Sequence, residues 1–118
     1  MSLQRGDIVL TRIPHAGGTR GKKRPAVIIQ ADTYNITVKH FIVAEITKNL
    51  AAGSDPASFL IDISTPDGKL TGLDQNSVVC CLFLSTVAEA RITQVIGKLS
   101  DTMQAQLDAC LKTALQLS

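Results

Sequence analysis

The stretch Gly17 to Ala31, GGTRGKKRPAVIIQA, sets four cations, Arg20, Lys22, Lys23 and Arg24, among glycines and then runs through Pro25 into the apolar series Ala26-Val27-Ile28-Ile29. Glycines mark a loop, and β-branched residues behind a proline mark a strand, so a flexible cationic loop here ends in a buried strand. Arg24 is the last cation before that strand and stands on its rigid edge, while the earlier ones stay mobile. A guanidinium held in this way suits a phosphate, which it can grip with two parallel hydrogen bonds.

On the N-terminal side, Asp7 to Ile13 (DIVLTRI) reads as a strand ended by Pro14, which leaves a mobile basic loop over residues 14–24. On the other side, Asp32-Thr33-Tyr34-Asn35 has turn chemistry, and Val38 to Thr47 is long and rich in β-branched residues, as a strand requires. Asn49 to Ala57 reads as a loop, and Ser58 to Ile63 alternates Phe59, Ile61 and Ile63 against polar or outward positions. A turn follows at Thr65-Pro66-Asp67-Gly68-Lys69. The run Ser77 to Leu84 (SVVCCLFL) is almost wholly apolar, as in a central strand, and continues through Val87. Thr93 to Leu99 reads as a last short strand, weakened by Gly97.

Ser100 is a good N-cap, Asp101 complements the positive end of a helix, and Met103, Leu107, Leu111, Ala114 and Leu115 recur at helical spacing, predicting a helix over 101–117. Strands throughout with one terminal helix define a mainly β, α+β fold: a small SH3-like barrel capped by the helix, in a single domain spanning 1–118.

A chain of 118 residues with 45% apolar content can fill one modest core. The net charge is only +2, yet up to Arg24 there are six cations against the single anion Asp7. A local cluster of this kind points to an anionic partner near one loop, whereas general adhesion to duplex DNA or membrane calls for a larger excess. The three cysteines form no CxxC or Cys/His cluster, so they read as small buried hydrophobes in a reducing cytoplasm, with no metal and no disulfide framework. The first residues lack the apolar core of a signal peptide, and no run approaches the length of a membrane span, so a cytoplasmic protein is expected.

Arg24 is the leading candidate for chemistry. Thr47 closes the third strand, where its hydroxyl could hydrogen-bond a phosphoryl oxygen beside an arginine. His15 is a possible acid or base, and Glu45 and Lys48 flank Thr47 on the same rim. Each has a plain structural alternative: an exposed loop side chain, or a threonine that simply fits a pleated surface.

Arg5-Gly6-Asp7 before a strand, the basic loop, Arg24-Pro25-Ala26-Val27, Ile46-Thr47 closing the third strand and the terminal amphipathic helix together resemble the MazF/PemK family of toxin–antitoxin toxins, from about Arg5 to the chain end. The resemblance implies a homodimeric, metal-independent, sequence-selective endoribonuclease. It would cut single-stranded RNA through attack of a ribose 2′-hydroxyl on the adjacent phosphate, leaving a 2′,3′-cyclic phosphate and a 5′-hydroxyl without any cofactor. The family's arginine before proline matches Arg24, and its threonine at the strand end matches Thr47. Arg20, Lys22, Lys23, Lys48, His15 and Thr86 would then contact RNA. A cognate antitoxin with an acidic tail is the implied partner.

One departure stands out. Where many relatives carry an acid, then Gln, then a basic residue two positions on, this chain has Leu82, Phe83, Leu84 and Ser85 before Thr86. That substitution keeps two other readings open: a catalytically silent module binding RNA or an antitoxin-like peptide, and a gyrase-targeting toxin of the same fold.

Overall fold

Ile8 and Val9 are neighbours on one strand, and both are fully buried. Successive side chains of a strand point to opposite faces, so a sheet that buries both must be covered on each side. A computed structural model, which describes residues 2–12 and 22–118, shows how this is done. The strands are β1 (Asp7–Arg12), β2 (Lys23–Ile28), β3 (His40–Thr47), β4 (Ser58–Ile61), β5 (Ser77–Ala88) and β6 (Ile92–Lys98). They form one antiparallel six-stranded sheet in the order β4-β5-β3-β2-β1-β6, with a C-terminal helix against it. The sheet is not closed, and its curled form is that of the expected barrel-like, helix-capped fold.

Two apolar clusters occupy the two faces. Ile8, Val27, Ala44, Ile46, Phe59, Ile61, Val79 and Cys81 pack with Leu99, Met103, Leu107 and Cys110. Val9, Ala26, Ile28, Phe41, Val43, Val87 and Ile92 pack with Leu3 on the other face. The odd and even residues of β1, β2 and β3 thus serve different cores, which is why their apolar runs lack alternation.

The helices are α1 (Asp32–Asn35), α2 (Pro66–Lys69) and α3 (Asp101–Leu115). The two short ones stand where turns were expected, and the expected loop after Asn49 contains a 3-10 turn over Leu50–Ser54. The Ser100 side chain accepts the Met103 N–H at 3.1 Å and caps α3 as predicted. Met103, Leu107 and Cys110 are its buried residues, with Leu111 and Ala114 packed beside them. Leu115, expected on this stripe, is exposed: it lies one position past Ala114 and so turns about 100° off the buried face. The helix ends there, with Gln116 in the left-handed conformation.

Three further differences matter for the site. First, β2 begins at Lys23, so Lys23 and Arg24 are paired strand residues, opposite Arg12 and Thr11, and do not belong to the loop expected over 14–24. Second, the expected β1 end at Ile13, the mobility of the loop, His15 and Arg20 all lie outside the described residues. Third, β5 does not stay buried along SVVCCLFL. Ala44 pairs with Leu84 but Glu45 pairs with Cys80, which leaves Cys81, Leu82 and Phe83 without partners on β3. β4 pairs only with Ser77 to Cys80, so it does not cover this bulge either. Leu82 and Phe83 are accordingly exposed.

Two glycines are dictated by backbone. Gly6 has φ +93°, gives its N–H to Ile28 and accepts from the Leu99 N–H, tying β1 to both flanking segments. Gly97, which weakened the strand reading of β6, lies where a Cβ would come within 2.3 Å of the Thr71 carbonyl carbon, so only glycine lets that loop cross the strand.

Candidate active site

β2 and β3 are joined at Ile28↔Val43, Val27↔Ala44 and Ala26↔Glu45, and beyond that rung they part. β2 runs on to Lys23 paired with β1, and β3 runs on to Thr47 paired with β5. Pro25, which has no N–H, sits where β2 has no rung with β3. A cavity of about 400 Å³ opens at this parting, lined by Arg24, Glu45, Ile46, Thr47, Asn49, Ala52, Cys80 and Phe83.

Strand alternation selects its residues. Arg24 shares a face with Ala26 and Ile28, while Lys23 shares the opposite face with Pro25 and Val27. Lys23 and Lys48 therefore line a different cavity of about 280 Å³, together with Asp74. Thr86 is exposed opposite Ile42 and is not on the Arg24 cavity wall, and Lys22 is exposed just before β2. Of the residues singled out in the sequence, the structure brings together Arg24, Glu45 and Thr47.

The Arg24 side chain is poised for an acceptor. Its Nε is buried and has no hydrogen-bond partner among the described residues. Leaving a buried donor unsatisfied costs about 1–3 kcal/mol, a cost that an anion entering the cavity would remove. Thr47 Oγ1 accepts the Asn49 N–H at 3.1 Å, and its own proton has no acceptor among the described residues. Asn49 Oδ1 in turn accepts the Ala51 N–H and starts the 3-10 turn that forms one wall. Glu45 supplies a carboxylate on the same wall. A cavity of similar size beside α1, lined in part by Leu3, Ile36 and Phe41, holds no such unsatisfied group among the described residues.

Cys80 also lines the site. Burial pushes its thiol up; a Ser58 hydrogen bond opposes this, and the charges of Glu45 and Asp55 add to it. The thiol is therefore protonated at neutral pH and is not a ready nucleophile. Among the described residues no three His, Cys, Asp or Glu side chains stand together so as to hold a metal ion, and no helix is long and apolar enough to cross a membrane.

Sequence reasoning gave no structural role to Arg5. Its Nε donates to the Ile29 carbonyl at 3.0 Å, its Nη2 meets Asp108 Oδ1 on α3 at 2.7 Å, and its N–H reaches Asp32 Oδ1 at 2.7 Å. Arg5 thus clamps the end of β2 to the helix.

The fold is a small bent antiparallel sheet, capped by one helix, with a half-buried arginine and a strand-end threonine lining one cavity. The chain belongs to the family of PemK-like, MazF-like toxins of type II toxin–antitoxin systems, whose pattern matches residues 4–115. It is 29% identical over 105 residues to Endoribonuclease MazF2 of Mycobacterium bovis, covering 88% of both chains. The same figures hold for Endoribonuclease MazF6 of Mycobacterium tuberculosis. Among solved structures, the Mycobacterium tuberculosis toxin MazF-mt6 superposes with a TM-score of 0.77 at 21% identity, over 95% of this chain and 98% of that one. MazF in a MazE–MazF structure from Deinococcus radiodurans (Form-III) does so with a TM-score of 0.71 at 19% identity, over the whole of both chains. At such identities the superpositions speak for the fold.

Proposed function

We propose that this chain is the toxin of a toxin–antitoxin pair and acts as an endoribonuclease on single-stranded RNA, with its reaction centre in the Arg24 cavity. The observation that carries the reading is the buried Arg24 Nε, without a partner among the described residues, on the same cavity wall as the Thr47 hydroxyl. Family membership and the endoribonuclease relatives supply the reaction class.

In this reading the phosphate enters between Arg24 and Thr47, which hold its oxygens. A ribose 2′-hydroxyl attacks the phosphorus and forms a pentacoordinate centre carrying extra negative charge. Arg24, whose Nε is already out of water, is aligned to that charge before it develops and stabilises it with little reorganisation. Glu45 is the carboxylate on the cavity wall and takes the 2′-hydroxyl proton. The bond from phosphorus to the 5′-oxygen then breaks, that oxygen takes a proton from water and Glu45 returns its own to solvent, giving a 2′,3′-cyclic phosphate and a 5′-hydroxyl. The permanent charge of Arg24 stands where a metal ion would otherwise be needed, so the reaction proceeds in EDTA.

The antitoxin would cover the same cavity with an acidic segment, which the Arg24 guanidinium binds as it binds phosphate. MazE-bound neighbours support such a partner. Dimerisation belongs to the same proposal, with Leu60 on the edge strand β4 and Leu115 and Leu117 at the helix end among the exposed large apolar residues.

The test is incubation of the purified protein with a long unstructured RNA in EDTA. Discrete cuts bearing cyclic phosphates are expected, and Arg24→Ala is expected to slow them at least 100-fold. RNA binding without cuts would favour the silent module that Leu82 brings to mind. Cutting at an unchanged rate in Arg24→Ala would remove the site assignment.

A further inference from the structure

Phe83 has no role in the chemistry above, yet it lines the reaction cavity. Of the chain's four aromatic rings, Phe41 and Phe59 are buried in the core and Tyr34 sits on α1. Phe83 alone shares a wall with Arg24 and Thr47, and it is 60% exposed. Its position comes from the bulge in β5: neither β3 nor β4 pairs with Cys81 to Phe83. The next residue, Leu84, returns to the ladder opposite Ala44 and packs against the core. The bulge thus buries Cys81 and turns Leu82 and Phe83 to solvent, and of these two Phe83 lines the cavity with the half-buried Arg24.

We propose that Phe83 is a stacking platform for a nucleobase next to the phosphate held by Arg24, a role that rests on the RNA reading of the site. In a single strand every phosphate is followed by a base without a pairing partner, so a cation and a flat ring on one wall match that repeat. The bases of a duplex are already stacked and paired and cannot reach the ring. Stacking uses the π-face common to all four bases, so Phe83 would hold a flanking nucleotide without reading its identity. It would also favour single strands over duplexes.

The test uses two fluorescent probes: an unstructured RNA oligomer with every 2′-hydroxyl methylated, which can be bound but not cut, and the same backbone carrying abasic residues. The wild-type protein should bind the base-bearing oligomer more tightly. Phe83→Ala should weaken that binding about 5- to 150-fold and leave the abasic oligomer unchanged. Phe83→Leu, which keeps apolar bulk but not the ring, should behave like Phe83→Ala, and Phe83→Trp should restore affinity. Arg24→Ala should weaken both oligomers. If Arg24→Ala does so while Phe83→Ala weakens neither oligomer, or both equally, stacking is refuted and the anion site stands. If the wild type binds neither oligomer, the site reading falls and stacking falls with it. Sedimentation of the Phe83 variants closes the remaining route: conversion of a dimer to monomers, with equal loss on both oligomers, would assign the ring to a contact between copies and overturn the proposal.

Discussion

Arg24 and Thr47 each stand two residues beyond Ala26↔Glu45, the last rung that joins β2 to β3, and both line the cavity that opens there. The strands hold them from behind, through β1 on one side and β5 on the other. Neither residue closes the gap with the other strand's backbone. The site is a place where regular pairing stops while both flanking strands remain anchored, so its groups are rigid yet accessible.

Thr47→Val tests the hydroxyl with little change of shape. Losing the Asn49 N–H acceptor should cost about 1 kcal/mol of stability or less, because that bond is exposed. Losing a donor to a phosphoryl oxygen should lower kcat/KM by roughly 10- to 100-fold. Cleavage kinetics beside a thermal melt separate the two effects, and an unchanged kcat/KM would leave Thr47 a purely structural residue.

Glu45→Gln keeps the size of the side chain and removes its basicity. If Glu45 accepts the 2′-hydroxyl proton, kcat should fall about 10²- to 10⁴-fold with KM nearly unchanged. A large rise in KM with kcat preserved would instead show that the carboxylate only shapes the wall.

Some of this was legible in the residue string and some was not, for reasons that differ. Arg24 could be found because a proline and β-branched residues fix the chain immediately after it. Which other cations share its face could not be found, because that depends on where β2 starts, and glycines on the N-terminal side give no periodic signal. Lys23 therefore read as one of the mobile loop cations, although it is a strand residue that alternation turns away from Arg24. Phe83 was hidden in an apolar run, since the bulge is a shift in the register of β5 against β3, and β3 is a distant segment. The helix was read correctly through its cap and stripe, both local, whereas the Arg5 clamp joins residues 103 apart and leaves no local trace.

Arg5→Ala should therefore destabilise a molecule whose cavity it never touches. The Ile29 carbonyl loses its partly buried charged donor and α3 loses its tie at Asp108, though that pair is half exposed and contributes little. A loss of about 2 kcal/mol is expected, or a Tm drop of roughly 5–10 °C. Cleavage per folded molecule should stay within a few-fold of wild type below that Tm. A stable variant with abolished cleavage would contradict this division.

The thiols give a separate check. Burial pushes Cys81 up to about 12, and it raises Cys80 and Cys110 as well. At pH 8 all three should react with a thiol reagent far more slowly than a free cysteine and become reactive together on unfolding in denaturant. Cys80→Ser should leave cleavage within a few-fold of wild type, because a protonated Cys80 takes no part in the reaction. Rapid modification of the folded protein that also blocks cleavage would show otherwise.

Part of the acid sensitivity should trace to Asp32. The Arg5 backbone N–H, followed by the Asn35 side chain, holds its carboxyl below the ordinary value of 3.8. A carboxyl whose folded pKa is depressed contributes its stability in full above the unfolded value and loses it as the pH falls through the folded one. The Tm difference between wild type and Asp32→Ala should therefore be widest above about pH 5 and shrink as the pH falls below the ordinary carboxyl range. Asp62 is also held low, chiefly by the Ser64 hydroxyl, but it is present in both proteins and cancels from the difference. A gap that stayed constant through acid pH would mean that Asp32 acts through shape alone, with its charge irrelevant to the turn that carries β2 into α1.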